Sequence, residues 1–282
     1  MLLNLQHYHR PGTIPEAIAL LKKNPDAVAP LAGGTYFVAS GARHITEVVD
    51  ITHLGLSSIS RDENVVRIGS TTTLQEIIDS EVTKGLAQAV LVEACRTTTV
   101  SRMRRNVSTI GGEIVAAAAA SGVPVALLAL DARLKIVDKQ EREVTLADFY
   151  LADVQSPLRG AIITEVSIPI PGPGARAAFL RLAQITSSIP IIQMATFIEF
   201  EDDLCREARL AIGAATTRPM RVPSAEALLV GRTLDDPTIR RAADELTASI
   251  NPIHDTRGTA QYRRQMSRVL TRRTLSLVVS RP

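Results

Sequence analysis

Between Ile170 and Gly174 the chain reads Ile-Pro-Gly-Pro-Gly, and no helix or central strand can run through it. Each proline removes a backbone donor and fixes φ, and each glycine loosens the backbone between them. The block therefore divides the 282-residue chain, whose length already favours more than one packed unit. Hydrophobic residues make up 45%, enough to bury a core and exclude wholesale disorder. Aromatics are 3% and Trp is absent, so that core must come from Ala, Val, Ile and Leu, and base-stacking platforms are not expected. The +3 net charge is too thin a surplus for a nucleic-acid partner.

Ahead of the block, helices and strands alternate. Pro15 to Lys23 has apolar residues at helical spacing, and Ala27–Leu31 and Val48–Ile51 read as short buried strands. Val65–Gly69 and Arg133–Val137 are strand-like, as is Ala161–Ile168. Thr73–Ser80, Leu86–Cys95 and Pro124–Leu130 read as helices, and Arg96 to Ser108 as a polar, basic connection. Beyond the block come strands at Phe179–Leu182, Gln193–Phe200 and Ala208–Ala214. Helices follow at Ser224–Leu229, Thr238–Ile250 and Ala260–Val278. Strands first and helices after is an α+β arrangement. The longest uncharged run, Ile114 to Leu130, contains Ser121, Gly122 and Pro124, so a buried turn and helix is expected there and no membrane span. The first residues lack the pattern of a signal peptide. Cys95 and Cys205 are too few for a disulfide framework or a cysteine-ligated cluster, and suggest reduced thiols in a cytoplasmic protein.

Two segments carry the functional signal: Leu31-Ala32-Gly33-Gly34-Thr35 and Thr109-Ile110-Gly111-Gly112. Each joins two glycines to a threonine where strand-like sequence gives way to a turn. Glycine admits positive φ and lets a ligand reach the main chain. Successive N–H groups in such turns can form an anion-binding concavity. Two of them facing each other would suit a pyrophosphate, but each alone is equally a tight turn. Neither is a P-loop, for want of a following Lys-Ser/Thr, and neither has G-x-G-x-x-G. No nucleophile–base pair is visible, and no catalytic side chain is assigned.

The two turns, in this order, resemble those of the FAD-binding medium subunit of molybdenum hydroxylases, the xanthine dehydrogenase and carbon monoxide dehydrogenase family. The stretch Arg105-Asn106-Val107-Ser108-Thr109-Ile110-Gly111-Gly112-Glu113 is similar to its signature, as is Leu127-Leu128-Ala129-Leu130-Asp131-Ala132. Asp255 to Arg264 is similar to its C-terminal domain, and the resemblance runs from Tyr8-His9-Arg10-Pro11 onward. It implies an α+β fold: two FAD-binding subdomains of the PCMH/VAO-like kind, then a domain of a three-stranded antiparallel sheet plus helices. The boundaries it suggests are 1–55, 56–171 and 175–282. It implies FAD as cofactor, held by Leu31, Ala32, Gly33, Gly34, Thr35 and Tyr36 and by Thr109, Ile110, Gly111, Gly112 and Glu113. Arg181 falls where the family often has a Lys beside the flavin, and Ile163 near the flavin ring. It further implies electron transfer from a two-iron two-sulfur small subunit, beside a molybdopterin large subunit, to NAD or another acceptor.

Three departures bear on that picture. Tyr36 replaces a small polar residue, and Glu113 replaces Asn, bringing a carboxylate toward a pyrophosphate. Ala118-Ala119-Ala120-Ser121-Gly122 replaces Ser-Pro-x-x-Asp and removes a polar partner. Two readings stay open: FAD held through backbone turns with fewer side-chain contacts, or a structural subunit of the same complex without flavin. An unrelated, self-sufficient FAD enzyme is disfavoured, because no covalent flavin attachment is visible and His44 lies in a polar loop. Arg102, Arg104 and Arg105 read as a solvated loop or as partners of phosphate or an acidic surface. Arg263, Arg264, Arg268, Arg272 and Arg273 read as a solvent face or subunit contact.

Overall fold

The structure is a computed structural model that describes residues 4–118, 120–152 and 158–281. Of the Ala118–Gly122 stretch singled out above, Ala119 lies outside the described residues. The chain forms two compact units and crosses between them several times. The first holds Met1–Val82, Ser101–Ala116 and Ala132–Ile168; the second holds Thr83–Val100, Ala117–Asp131 and Pro169–Pro282.

The first unit opens with β1 (His7–His9), α1 (Ile14–Lys23), β2 (Val28–Leu31), α2 (Phe37–Ser40) and β3 (Glu47–Asp50). The strands form a parallel sheet in the order β1-β3-β2. Parallel strands need crossovers, and α1 carries the chain from β1 to β2, on the two sides of β3. Its start is fixed by the Thr13 hydroxyl, which accepts the Glu16 amide at 3.3 Å, and Lys22 and Lys23 complement its carboxyl end. Its apolar stripe, Ala17, Ile18 and Leu21, is buried with Val28 and Val49 of the sheet.

The chain continues through β4 (Ile59–Arg61), β5 (Val65–Gly69), α3 (Leu74–Asp79) and α4 (Glu81–Lys84). An excursion into the second unit carries α5 (Val90–Thr98), and α6 (Arg102–Arg105) and α7 (Ile110–Ala116) return. A second excursion carries α8 (Gly122–Ala129), before β6 (Arg133–Val137), β7 (Glu141–Thr145), α9 (Leu146–Leu151) and β8 (Ile162–Pro169). These strands make a second sheet, ordered β4-β5-β8-β6-β7. A capping box of Thr73 and Glu76 sets the start of α3.

The second unit is built on β9 (Ala175–Leu182), β10 (Ile192–Glu201), β11 (Leu204–Gly213) and β12 (Met220–Arg221), antiparallel throughout in the order β12-β11-β10-β9. This sheet has four strands, not the three expected. The extra one is two residues long, between Pro219 and Pro223, too short to show a pattern. α10 (Pro223–Ala227), α11 (Asp236–Ser249) and α12 (Ala260–Ser280) complete the unit. α8 is apolar all round and every residue of it is buried. No helix among the described residues is long and apolar enough to cross a membrane.

Two further expectations are corrected. Leu86–Cys95 is not one helix: Ala87, Gln88 and Ala89 take left-handed φ, and α5 starts at Val90. The Gln88 carboxamide accepts the Ala177 amide of β9 at 2.8 Å, a tertiary bond that overrides helix propensity. Arg263 is not on a solvent face but is fully buried. It donates to the carbonyls of Ile191 (2.5 Å) and Ala214 and to Asp255 Oδ1 (2.6 Å).

Arg263→Leu would leave the carbonyls of Ile191 and Ala214 without their buried donor and take one of two arginine partners from half-buried Asp255, and is expected to cost about 2–4 kcal/mol in chemical denaturation. Hydrogen bonds from Arg257 and then Arg263 hold Asp255 well below the usual carboxylate range. Its contribution is present above the unfolded-state pKa and is lost as pH falls. Wild-type stability should therefore drop below about pH 4, and the drop should be shallower in Asp255→Asn.

Candidate functional site

β2 ends at Leu31, whose carbonyl accepts the Ile51 amide at 3.0 Å. The chain then bends through Ala32–Tyr36 into α2, with Gly34 at φ +66°. A side chain at Gly33 would collide with the carbonyl of Val107. Beside that contact the Ser108 hydroxyl donates to Thr35 Oγ1 at 3.0 Å. The first bend is thus pressed against the residues that lead into the second, all within one unit.

The second bend differs from its expected form. Thr109 forms an isolated antiparallel bridge with Thr73, and α7 begins at the next residue. Its amides are taken up: Ile110 donates to Thr72 (3.0 Å), Gly111 to Ser70 (2.9 Å) and Glu113 to Thr109 (3.0 Å), all to carbonyls. Gly112 donates to Thr109 Oγ1 at 3.1 Å. A Cβ on Gly111 would lie 2.8 Å from the Ser70 carbonyl oxygen, so glycine here serves close packing. The amides of Ala32, Gly33, Gly34, Thr35 and Tyr36, by contrast, donate to no protein acceptor among the described residues.

Ile163 is buried on β8 opposite Ile136. Its neighbour Thr164 accepts the Ser70 amide at 3.0 Å, which ties β8 to the second bend. Tyr36 is 53% exposed and opens α2 without a side-chain cap. Glu113 is half-buried, and its charge adds to burial in raising the pKa of the Tyr150 phenol. Arg181 belongs to the other unit. Its guanidinium donates to the carbonyls of Thr97 and Thr186, both at 2.9 Å, and of Ser188. Only its Nε, buried, has no partner among the described residues, and burial lowers its pKa. Where Gly122 departs from the expected pattern, a Cβ would lie 2.7 Å from Gln193 Oε1, so the Gln193 carboxamide already occupies that space.

Asp50, at the end of β3, borders the bend in the parallel sheet through its pairing with Leu31. It accepts from Tyr8 Oη (2.6 Å) and from Thr52 Oγ1 (2.6 Å) and N (2.9 Å). Burial opposes its ionisation, but those bonds hold its pKa below the ordinary value.

Val107 and Ser108, which receive the first bend, enter the sequence reading only within the signature-like stretch and are given no role there, and Ser70 is not singled out. Their signals were the basic stretch before Thr109 and the hydroxyl run Ser70-Thr71-Thr72-Thr73. What results is a donor-rich bend: open amides, a glycine that admits no side chain, and a paired hydroxyl. That set suits the oxygens of a phosphate or diphosphate.

The chain matches the FAD binding domain in molybdopterin dehydrogenase over residues 3–171. It matches the CO dehydrogenase flavoprotein C-terminal domain over residues 177–278. It is similar to the glyceraldehyde dehydrogenase medium chain of Sulfolobus acidocaldarius, at 27% identity over 94% of this chain and 95% of that one. It is also similar to the 6-hydroxypseudooxynicotine dehydrogenase complex subunit alpha of Paenarthrobacter nicotinovorans, at 29% identity over 95% and 93%. A chain in the reconstituted CO dehydrogenase from Oligotropha carboxidovorans has the same fold, with a TM-score of 0.91 and 26% identity over 100% of both chains.

Gly33→Ala must push Val107 away and is expected to lower the unfolding free energy by about 1–3 kcal/mol. At Gly12 a Cβ would meet its nearest neighbour at an ordinary 3.7 Å. Gly12→Ala should therefore change stability by no more than about 0.5 kcal/mol. Parallel denaturant titrations would check both.

Proposed function

We infer the role of this chain from a plain premise: it belongs to the FAD-binding medium subunits of the molybdenum hydroxylase family. Its relatives are dehydrogenase subunits, and the FAD-binding domain spans residues 3–171. The reading proposed is an electron relay. Residues Leu31 to Tyr36 and Thr109 to Glu113 would hold FAD, the first bend giving backbone donors to its diphosphate. Ile163 would border the flavin ring. Arg181 would act near the flavin less by donating than by fixing Thr186 and Ser188. In this reading 1–55 and 56–171 are the two FAD-binding subdomains and 175–282 the C-terminal one.

The observation that carries the proposal is the run of undonated amides from Ala32 to Tyr36, held open by the packing of Gly33 on Val107. Bound FAD supplies the redox chemistry, and the protein supplies placement and electrostatics. Here placement means a bend packed on Val107, and electrostatics means backbone donors that no acceptor among the described residues takes up. Glu113 is near enough to the Tyr150 phenol for its charge to help raise that group's pKa.

The partners proposed are a two-iron two-sulfur small subunit and a molybdopterin large subunit, with NAD or another acceptor receiving the electrons. Two features support this. Cys95 and Cys205 are both buried, and two cysteines fall short of a four-thiolate cluster. The relatives' names also point to unlike substrates, which supports placing the organic substrate on another subunit.

Purified chain should bind FAD and become yellow. FAD at one hundred times its Kd should raise the unfolding free energy by about 2.7 kcal/mol. Substrate should bleach the flavin only when both partner subunits are present. A chain that gains neither colour nor stability would leave the structural-subunit reading in its place.

A further inference from the structure

From Ile110 to Glu113 the second bend gives its amides to internal bonds, yet beside it stands a polar group with no partner among the described residues. Ser70 follows β5 and is 3% exposed. Its amide donates to Thr164 and its carbonyl accepts from Gly111 at 2.9 Å, so its backbone is fixed on both sides. Its hydroxyl is buried and has no hydrogen-bond partner among the described residues. Ser70 Cβ lies 3.0 Å from where a Cβ on Gly111 would stand. The hydroxyl is therefore one bond from the atom that packs on the second glycine pair.

A buried hydroxyl without a partner destabilises the chain that carries it. Alanine would keep the Cβ in place without that penalty. Its presence beside a bare glycine points to an acceptor that arrives with a ligand. Resting on the FAD reading above, we propose that the Ser70 hydroxyl is a direct donor to an oxygen acceptor of the bound dinucleotide, and that this is the polar contribution of the second bend. The two bends then divide the work: backbone amides from the first, a side-chain hydroxyl from the second. The neighbouring Thr71 hydroxyl is also buried and unpartnered among the described residues.

The test compares wild type with Ser70→Ala in two measurements, the melting temperature of the FAD-free chain and the Kd for FAD. The FAD-free variant should melt at the same temperature as wild type or higher. Its Kd should rise roughly tenfold, with a smaller FAD-induced shift in melting temperature. ADP serves as a second probe: an equal loss places the acceptor on the diphosphate side, and a loss confined to FAD places it on the flavin half. Thr71→Val keeps the shape of that neighbour and should likewise not lower the melting temperature of the FAD-free chain. Unchanged FAD affinity in Ser70→Ala would overturn the proposal, and a lowered melting temperature alongside it would assign the hydroxyl to an internal water. Wild-type chain that takes up no FAD at all would overturn the underlying FAD reading instead.

Discussion

The packing of the first glycine bend on the Val107–Ser108 segment is the constraint on which the rest of the site depends. Only a residue without a Cβ fits beneath the Val107 carbonyl. The Thr35–Ser108 hydroxyl pair then fixes the direction in which the bend leaves that contact. Beside that contact, the amides from Ala32 to Tyr36 donate to no acceptor among the described residues. Ordinary backbone donors in an interior seek partners. Here a whole run of them has no acceptor among the described residues, and successive donors of that kind can form a concavity for an anion.

The same segment organises the second bend in the opposite sense. Ser108 accepts the Leu74 amide through its carbonyl while its hydroxyl faces Thr35. Thr109 is then drawn into a bridge with Thr73, and the following amides close on Ser70, Thr72 and Thr109 itself. Two motifs of similar composition thus do different jobs. The glycines of the first leave donors open. Gly111 of the second lets a strand end approach closely. β8 joins this arrangement through Thr164 and Ser70, which brings the element carrying Ile163 to the second bend.

Much of this architecture could be read from the chain because its central elements obey simple periodicities. The stripe of α1, the continuous apolar run of α8 and the alternation in β6 and β8 all report burial directly. The strands that escaped notice, β1, β4, β7 and β12, are all edge strands. Exposed on one side, sequences such as His-Tyr-His or Glu-Arg-Glu-Val-Thr show no burial pattern to detect. The break before α5 was hidden because it depends on a bond from distant Ala177, and the burial of Arg263 because its carbonyl acceptors at Ile191 and Ala214 lie far off in sequence. The glycine pairs themselves were visible, but their different hydrogen-bonding states were not. Those states are set by Ser70, Thr72 and Thr73, which precede the second pair by almost forty residues, and composition alone carries no trace of that pairing.

The central claim, that the open donors belong to the first bend, can be tested at single-amide level. Hydrogen exchange would be followed at each backbone N–H with and without saturating FAD. The account predicts that Ala32 to Tyr36 exchange rapidly in the free chain and become protected by FAD, whereas Ile110 to Glu113 are protected in both states. Slow exchange at Ala32 to Tyr36 without FAD, or FAD protection confined to Ile110 to Glu113, would contradict it.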